Sequence, residues 1–151
     1  MKPIKRKINK IIVHCTATPE CREIDITDVR RWHVEERGWS DVGYHFLVLL
    51  DGTIQEGRPL ERSGAHTKGH NHDSIGIAYV GGMSADGEQS VPKDTRTEEQ
   101  KEALVDLLCE LRLSYGGEIY GHRDFSSKAC PSFDATEEYA WISSYYDEEE
   151  V

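Results

Sequence analysis

Long apolar runs are missing from this chain. No stretch approaches the ~20 consecutive apolar residues that a helix needs to cross a bilayer, so no membrane insertion is expected. A secretory signal is missing as well. The basic start Met1-Lys-Pro-Ile-Lys-Arg-Lys leads only into the short apolar block Ile11-Ile-Val, where a signal needs roughly 7–15 apolar residues. The expectation is a protein made in the cytoplasm. Positive charge is scarce: 18 Lys and Arg stand against 28 Asp and Glu, a formal net charge of −10. Nucleic-acid binding rests on cations that neutralise phosphates, so no nucleic-acid partner is expected. Cysteine is sparse. Cys15, Cys21, Cys109 and Cys130 match no zinc-finger or CxxC spacing, and free thiols are the default in a reducing compartment. A metal site here must combine cysteine with histidines from distant segments. Internal repeats and low-complexity linkers are also absent.

What is present fits one domain. A chain of 151 residues is long enough to bury roughly 70% of its unfolded surface. The organised core is expected over about 10–142, followed by an acidic, solvated tail over 147–151. Lys10 to Cys15 reads as a buried strand. Thr27 or Asp28 is expected to cap a helix running to Arg37 and stopped by Gly38, with Ile26, Val29, Trp32 and His33 along one side. Tyr44 to Leu50 reads as a strand, Asp51-Gly52 as a hairpin turn, and Ser74 to Val80 as a further strand. Met83 to Arg96 reads as a loop. Thr97-Glu-Glu-Gln100 is a capping box that opens a helix with a Leu104, Leu107, Leu108, Leu111 stripe, against which Cys109 packs. Gly116-Gly117 ends it, and Glu118 to Gly121 is a short strand. Asp134 and Glu137 suggest a second capping box with Phe133 as the staple. It opens a last helix carrying Tyr139, Trp141 and Ile142. This order predicts an α/β protein: a central mixed sheet with helices packed against it.

Several residues carry possible chemistry. His14 ends an apolar strand, where a histidine is either a satisfied core residue or a ligand. Alternation puts Ile12 and His14 on one face and Val13 and Cys15 on the other. Cys15 is thus not expected to face a metal held by His14, and Cys15 and Cys21 read as buried or surface thiols. His122 follows a strand, and Cys130 lies in a loop eight residues later. Imidazole nitrogen and thiolate sulfur are donors that zinc prefers, although the same residues also occur in loops without metal. Lys128 is either a surface lysine or a cation placed to offset a developing oxyanion. Tyr44 either packs or donates a hydrogen bond in a transition state. Its face is expected to be shared with Phe46, and the opposite face by His45 and Leu47. The run from Gly64 to His72 is rich in histidine and glycine; it reads as a polar loop or as metal-binding by composition.

Five segments in order bring these residues together: Ile12 to Thr18, Trp39 to Phe46, Gly64 to Asn71, Ser74 to Ile77, and Gly121-His-Arg-Asp with Lys128-Ala-Cys-Pro-Ser-Phe133. With them the chain resembles the phage-type zinc amidases and the wider set of N-acetylmuramoyl-L-alanine amidases and peptidoglycan recognition proteins. The resemblance spans roughly Ile11 to Phe133. It implies one Zn²⁺ per chain held by His14, His122 and Cys130, with Tyr44 and Lys128 as catalytic groups. It implies that His66 and Asn71 line a substrate groove. It further implies hydrolysis of the amide between N-acetylmuramic acid and L-alanine in bacterial peptidoglycan. The enzyme would be a monomeric phage or prophage endolysin, made in the host bacterial cytoplasm and acting on the wall after release. Alternatives within the resemblance are a non-catalytic peptidoglycan-binding module and an amidase that recycles muropeptides. It names no general base and no regulatory partner for this chain.

Overall fold

The computed structural model describes residues 1–85 and 90–149, with side chains described through residue 145. The first half contains β1 (Lys10–Cys15), β2 (Thr18–Pro19), α1 (Ile26–Arg30), β3 (Phe46–Val48) and β4 (Ile54–Glu56). The second half contains β5 (Ser74–Tyr79), β6 (Gly82–Met83), α2 (Glu98–Tyr115), β7 (Glu118–Gly121), α3 (Ala135–Glu138) and α4 (Ala140–Glu149). The main sheet runs β4-β3-β5-β1-β7. Its β3–β5, β5–β1 and β1–β7 pairs are parallel, and β4 is antiparallel to β3. A second, two-stranded sheet pairs β2 with β6. The α/β class with a mixed sheet expected from the sequence is the one observed.

Strand alternation divides the core in two. Ile11, Val13 and Cys15 of β1 face the leucine stripe of α2, where they meet Leu104, Leu108, Leu111, Tyr139 and Ile142. Each fully buried leucine of that stripe contributes about 1.5–3 kcal/mol. The opposite face packs Leu47, Ala78 and Val80 against Val29 and Ile24, and His14 points to this side, register-paired with Ala78. The α2 capping box forms as expected: Thr97 Oγ1 accepts from Gln100 N at 3.0 Å, and Gln100 Oε1 accepts from Thr97 N at 2.9 Å. Gln100 Nε2 also donates to the carbonyls of Val48 and Val80 at 3.2 and 3.0 Å. The cap therefore locks the helix onto the sheet as well as starting it.

Several local expectations are corrected. The first helix is capped by Asp25, whose carboxylate accepts from Thr27 N and Asp28 N at 2.9 and 3.2 Å. Asp28 is the reciprocal partner, three positions into the box. The helix widens into a π-helical stretch over Arg31–Glu36. The third strand begins at Phe46, not Tyr44, so alternation does not reach residue 44. Tyr44 packs on the α1 side while Phe46 enters the α2-side core. The hairpin at Asp51-Gly52 is present, and Gly52 takes φ +87°, which favours glycine. The loop from Met83 opens with β6 and an isolated Met83–Pro92 bridge, and residues 86–89 of it lie outside the described residues. Asp134 caps α3, accepting from Glu137 N at 3.1 Å. The last helix is broken at Tyr139; of its three large apolar residues, Tyr139 and Ile142 are buried and Trp141 is 54% exposed. The acidic run continues α4 through Glu149; its side chains and residues 150–151 lie outside the described residues.

Candidate active site

The candidate site forms where parallel strands end, the usual place for ligand crevices in α/β sheets. β1 and β7 are parallel and in register, with Val13 opposite Gly121. The next residue in each segment is a histidine, His14 within β1 and His122 just past the end of β7. The rings of His14 and His122 have centroids 4.5 Å apart. Cys130 arrives from the loop that follows the short helical turn His122–Asp124. Its Sγ lies 3.8 Å from His14 Nδ1 and accepts from Cys15 N at 3.2 Å. One ligand atom each from His14, His122 and Cys130 falls within 4.8 Å of the others. The loop after Cys130 is pinned. Tyr79 Oη donates to the Pro131 carbonyl at 2.6 Å, and Ser132 Oγ donates to the Gly82 carbonyl at 2.8 Å. The buried Arg96 guanidinium sits 3.5 Å over the Phe133 ring and pairs with Asp94 and Glu138.

Electrostatics keep the imidazoles neutral. Burial pushes His14 well below its usual value, with smaller contributions from His66, His122 and Lys128. Burial also lowers His122, assisted by Lys128. A neutral imidazole has the free lone pair a ligand needs. The Cys15 and Cys130 thiols titrate as a pair: the first thiolate is stabilised by the remaining S–H, and burial with that neighbour holds the second proton well above the usual range. A cation at Cys130 offsets this cost. Two neutral imidazoles with a thiolate that the metal itself would deprotonate fit a zinc-type ion and leave a fourth tetrahedral position open.

A cleft of about 910 Å³ opens over this cluster. Tyr44 lines it, its ring centroid 5.2 Å from that of His14, and burial raises its phenol above the usual range. Lys128 lines the same cleft on an exposed stretch of loop. His66 and Asn71 are also in the wall, but much of their bonding is internal. His66 Nδ1 lies 2.8 Å from His14 Nε2, and His66 Nε2 lies 3.2 Å from Ser74 Oγ. Asn71 Oδ1 accepts from the backbone N–H of His66 and of Thr67, both at 2.9 Å. Gly76 makes room for the His66 ring: a Cβ there would sit 2.5 Å from His66 Cδ2.

Sequence reasoning assigned no role to the opposite wall. Trp32, His33 and Glu36 of the π-helical stretch line it, with Arg37 at its C-cap and Trp39 following. His33 Nδ1 accepts from Gly43 N at 2.9 Å, and burial lowers its value to about 4. Only the closeness of Trp32, His33 and Trp39 in sequence hinted at such a wall. Among the lining residues Glu36 is the one carboxylate. Asp124 instead accepts from Gly121 N at 3.0 Å and from Thr136 Oγ1.

The family model described as N-acetylmuramoyl-L-alanine amidase matches residues 4–133. The chain belongs to that family. It is similar to the endolysin of Klebsiella phage KP32, with 42% identity over 131 residues, 86% of this chain and 84% of that one. In three dimensions the amidase is similar to the N-acetylmuramoyl-L-alanine amidase LysC from Clostridium intestinale, with a TM-score of 0.74 and 27% identity over 94% of this chain and 87% of that one. It is also similar to the ectodomain complex of peptidoglycan recognition proteins LCa and LCx bound to tracheal cytotoxin. That match has a TM-score of 0.71 and 32% identity over 89% of this chain and 82% of the other. The chain is an N-acetylmuramoyl-L-alanine amidase whose substrate is peptidoglycan.

Proposed function

We propose that this amidase works with one zinc ion per chain, held by His14, His122 and Cys130, and that it serves as a phage or prophage endolysin. The observation that carries the metal reading is the convergence of three such donors within 4.8 Å at the floor of the cleft. When bound, zinc supplies a Lewis acid for the amide carbonyl and lowers the pKa of water. The chain's own groups do the rest. The Tyr44 phenol, kept protonated by burial, donates a hydrogen bond to the carbonyl oxygen as charge builds there. The Lys128 ammonium, within electrostatic reach of both ligand histidines, offsets the same charge. Donors aimed at a developing oxyanion act most strongly where water is displaced.

With Nδ1 of His14 turned to Cys130, its Nε2–H donates to His66 Nδ1, and His66 Nε2–H donates to Ser74 Oγ. This chain fixes the tautomer and the ring orientation of a ligand histidine. His66 and Asn71 then shape the groove wall beside the reacting bond, and Asn71 does so by folding the Ala65–Asn71 loop on itself. The endolysin reading rests on the 42% identity to the phage KP32 protein. It places the monomer, as one amidase domain, in the host cytoplasm when made and at the cell wall after release. No described helix is long and apolar enough to cross a membrane. The test is turbidity loss of purified sacculi and of soluble muropeptides with metal-loaded protein. An endolysin degrades intact sacculi, whereas preference for soluble fragments alone returns the recycling role and binding without turnover returns the recognition role.

A further inference from the structure

Cys15 has no place in the proposed ligand set, yet it lies directly against it. Its backbone N–H donates to Cys130 Sγ at 3.2 Å, and that sulfur lies 3.8 Å from the Cys15 carbonyl oxygen. The Cys130 sulfur is thus seated on the peptide groups of Cys15 itself, within side-chain reach of the Cys15 thiol, and both cysteines are free. The Cys15 side chain has little room to turn away. Its sulfur is 4.0 Å from Ser132 Oγ, and a Cβ on Gly82 would sit 2.3 Å from it. Half-buried Cys130 borders the open cleft, where a small solute can reach it, while Cys15 is buried behind it. Cys109 packs against the α2-side core, and exposed Cys21 is not in the cleft lining.

We propose that Cys15 and Cys130 form a disulfide modification site: glutathione disulfide, or another small disulfide oxidant, closes a Cys15–Cys130 bond in metal-free protein, and a metal held by Cys130 blocks it. The second half rests on the zinc reading above. Cys130, the half-buried thiol at the cleft, gives its proton to solvent as its sulfur attacks one sulfur of the oxidant, forming a mixed disulfide and releasing one glutathione thiolate. Cys15 loses its proton to solvent and attacks Cys130 Sγ, expelling the second glutathione. Two protein thiols are oxidised, and one glutathione disulfide is reduced to two glutathiones. A cation on Cys130 ties up the lone pair that the first step needs. The bond removes one of three donors, so an oxidised chain takes up no zinc until it is reduced. An endolysin that leaves a reducing cytoplasm for an oxidising compartment thus keeps its site only if it is loaded before it leaves.

The test uses the full chain, stripped by chelator or reloaded with one equivalent of zinc, with metal measured on every sample. Each is incubated with glutathione disulfide, thiol-blocked and mapped by non-reducing peptide mass spectrometry. The linked Cys15–Cys130 peptide is expected to dominate in stripped protein and to form about tenfold more slowly or less in loaded protein. Cys15→Ala is expected to stop at glutathione on Cys130, and dithiol reduction is expected to restore zinc uptake in the wild type. Stripped protein that stops at the mixed disulfide, or that links Cys130 to Cys21 or Cys109, overturns the pair. Equal linkage in samples whose measured zinc differs overturns the protection. If no sample takes up zinc, the ligand assignment fails instead, and linkage in the stripped samples still decides the pair.

Discussion

His14 and His122 leave neighbouring parallel strands one residue beyond the register pair Val13 and Gly121, which sets their ring centroids 4.5 Å apart. Two of the proposed ligands are thereby brought side by side by strand register. The third, Cys130, depends on a loop pinned by Tyr79, Ser132 and Arg96. This division of labour shapes what each substitution is expected to do.

Purified amidase is expected to carry one zinc per chain. His122→Ala and Cys130→Ser should each lose tight binding, because two remaining donors cannot complete a tetrahedral site. Elemental analysis after dialysis reads the outcome. Full occupancy in both variants removes these residues from the ligand set.

Tyr44→Phe and Lys128→Ala are expected to keep zinc and the fold while turnover falls by about 10²–10³. Measured on soluble muropeptide, the loss should lie in kcat rather than KM, since both groups act on charge that exists only in the transition state. Near-normal kcat in both variants would return Tyr44 to packing and Lys128 to the surface.

His66→Ala is expected to weaken zinc affinity by about 10–100-fold without removing a ligand, because His14 Nε2 then loses its nearer partner and keeps only Thr67 Oγ1 at 3.3 Å. Gly76→Ala should act on the same element from beneath, since the added methyl would meet His66 Cδ2 at 2.5 Å. Overpacking of this kind costs about 1–3 kcal/mol of stability. Competition titration with a chromophoric chelator measures the affinity. Unchanged zinc affinity in His66→Ala would limit His66 to the groove wall.

The metal-free chain is expected to lose stability on mild acidification. His33 and His45 are lowered from the ordinary 6.5 to about 4, by burial above all, and each accepts a backbone N–H through Nδ1. As pH falls below about 6.5 the unfolded chain takes up protons first, so stability present above 6.5 declines toward pH 4. Buried His14 and His66 act in the same direction. Denaturant midpoints of chelated protein at pH 7.5 and 5 provide the comparison; identical midpoints would show that these rings protonate freely in the folded state.

Digestion of purified peptidoglycan is expected to free the amino group of L-alanine and to leave glycan strands intact. Glycoside hydrolysis commonly needs two carboxylates flanking the sugar bond, and Glu36 is the one carboxylate among the residues lining the cleft. End-group analysis with mass spectrometry distinguishes the products. New reducing ends without new alanine amino ends would contradict the amidase chemistry.

Much of this protein is determined by sequence-local physics. The Leu104 to Leu111 stripe, the Thr97–Gln100 box, the Asp51-Gly52 turn and the apolar strands at Lys10 and Ser74 follow from periodicity, capping and turn preference. Each depends on residues within a few positions of one another. The alternation that separates His14 from Cys15 belongs to the same class, and it correctly sends Cys15 toward the α2-side core. The ordered segments around His14, Tyr44, His66, His122 and Cys130 made the family recognisable. Tertiary structure decided the rest. Tyr44 escapes its expected face because the strand begins two residues later, where pairing with β5 starts. The last helix breaks at Tyr139, and packing buries Tyr139 and Ile142 while leaving Trp141 exposed. The His14–His66 bond, the Cys15–Cys130 contact and the Trp32–Trp39 wall join residues far apart in the chain or turned by a π-helical stretch. No local pattern encodes such contacts. They exist because the parallel register of β1, β5 and β7 brings strand ends together and because Gly76 leaves space for a ring.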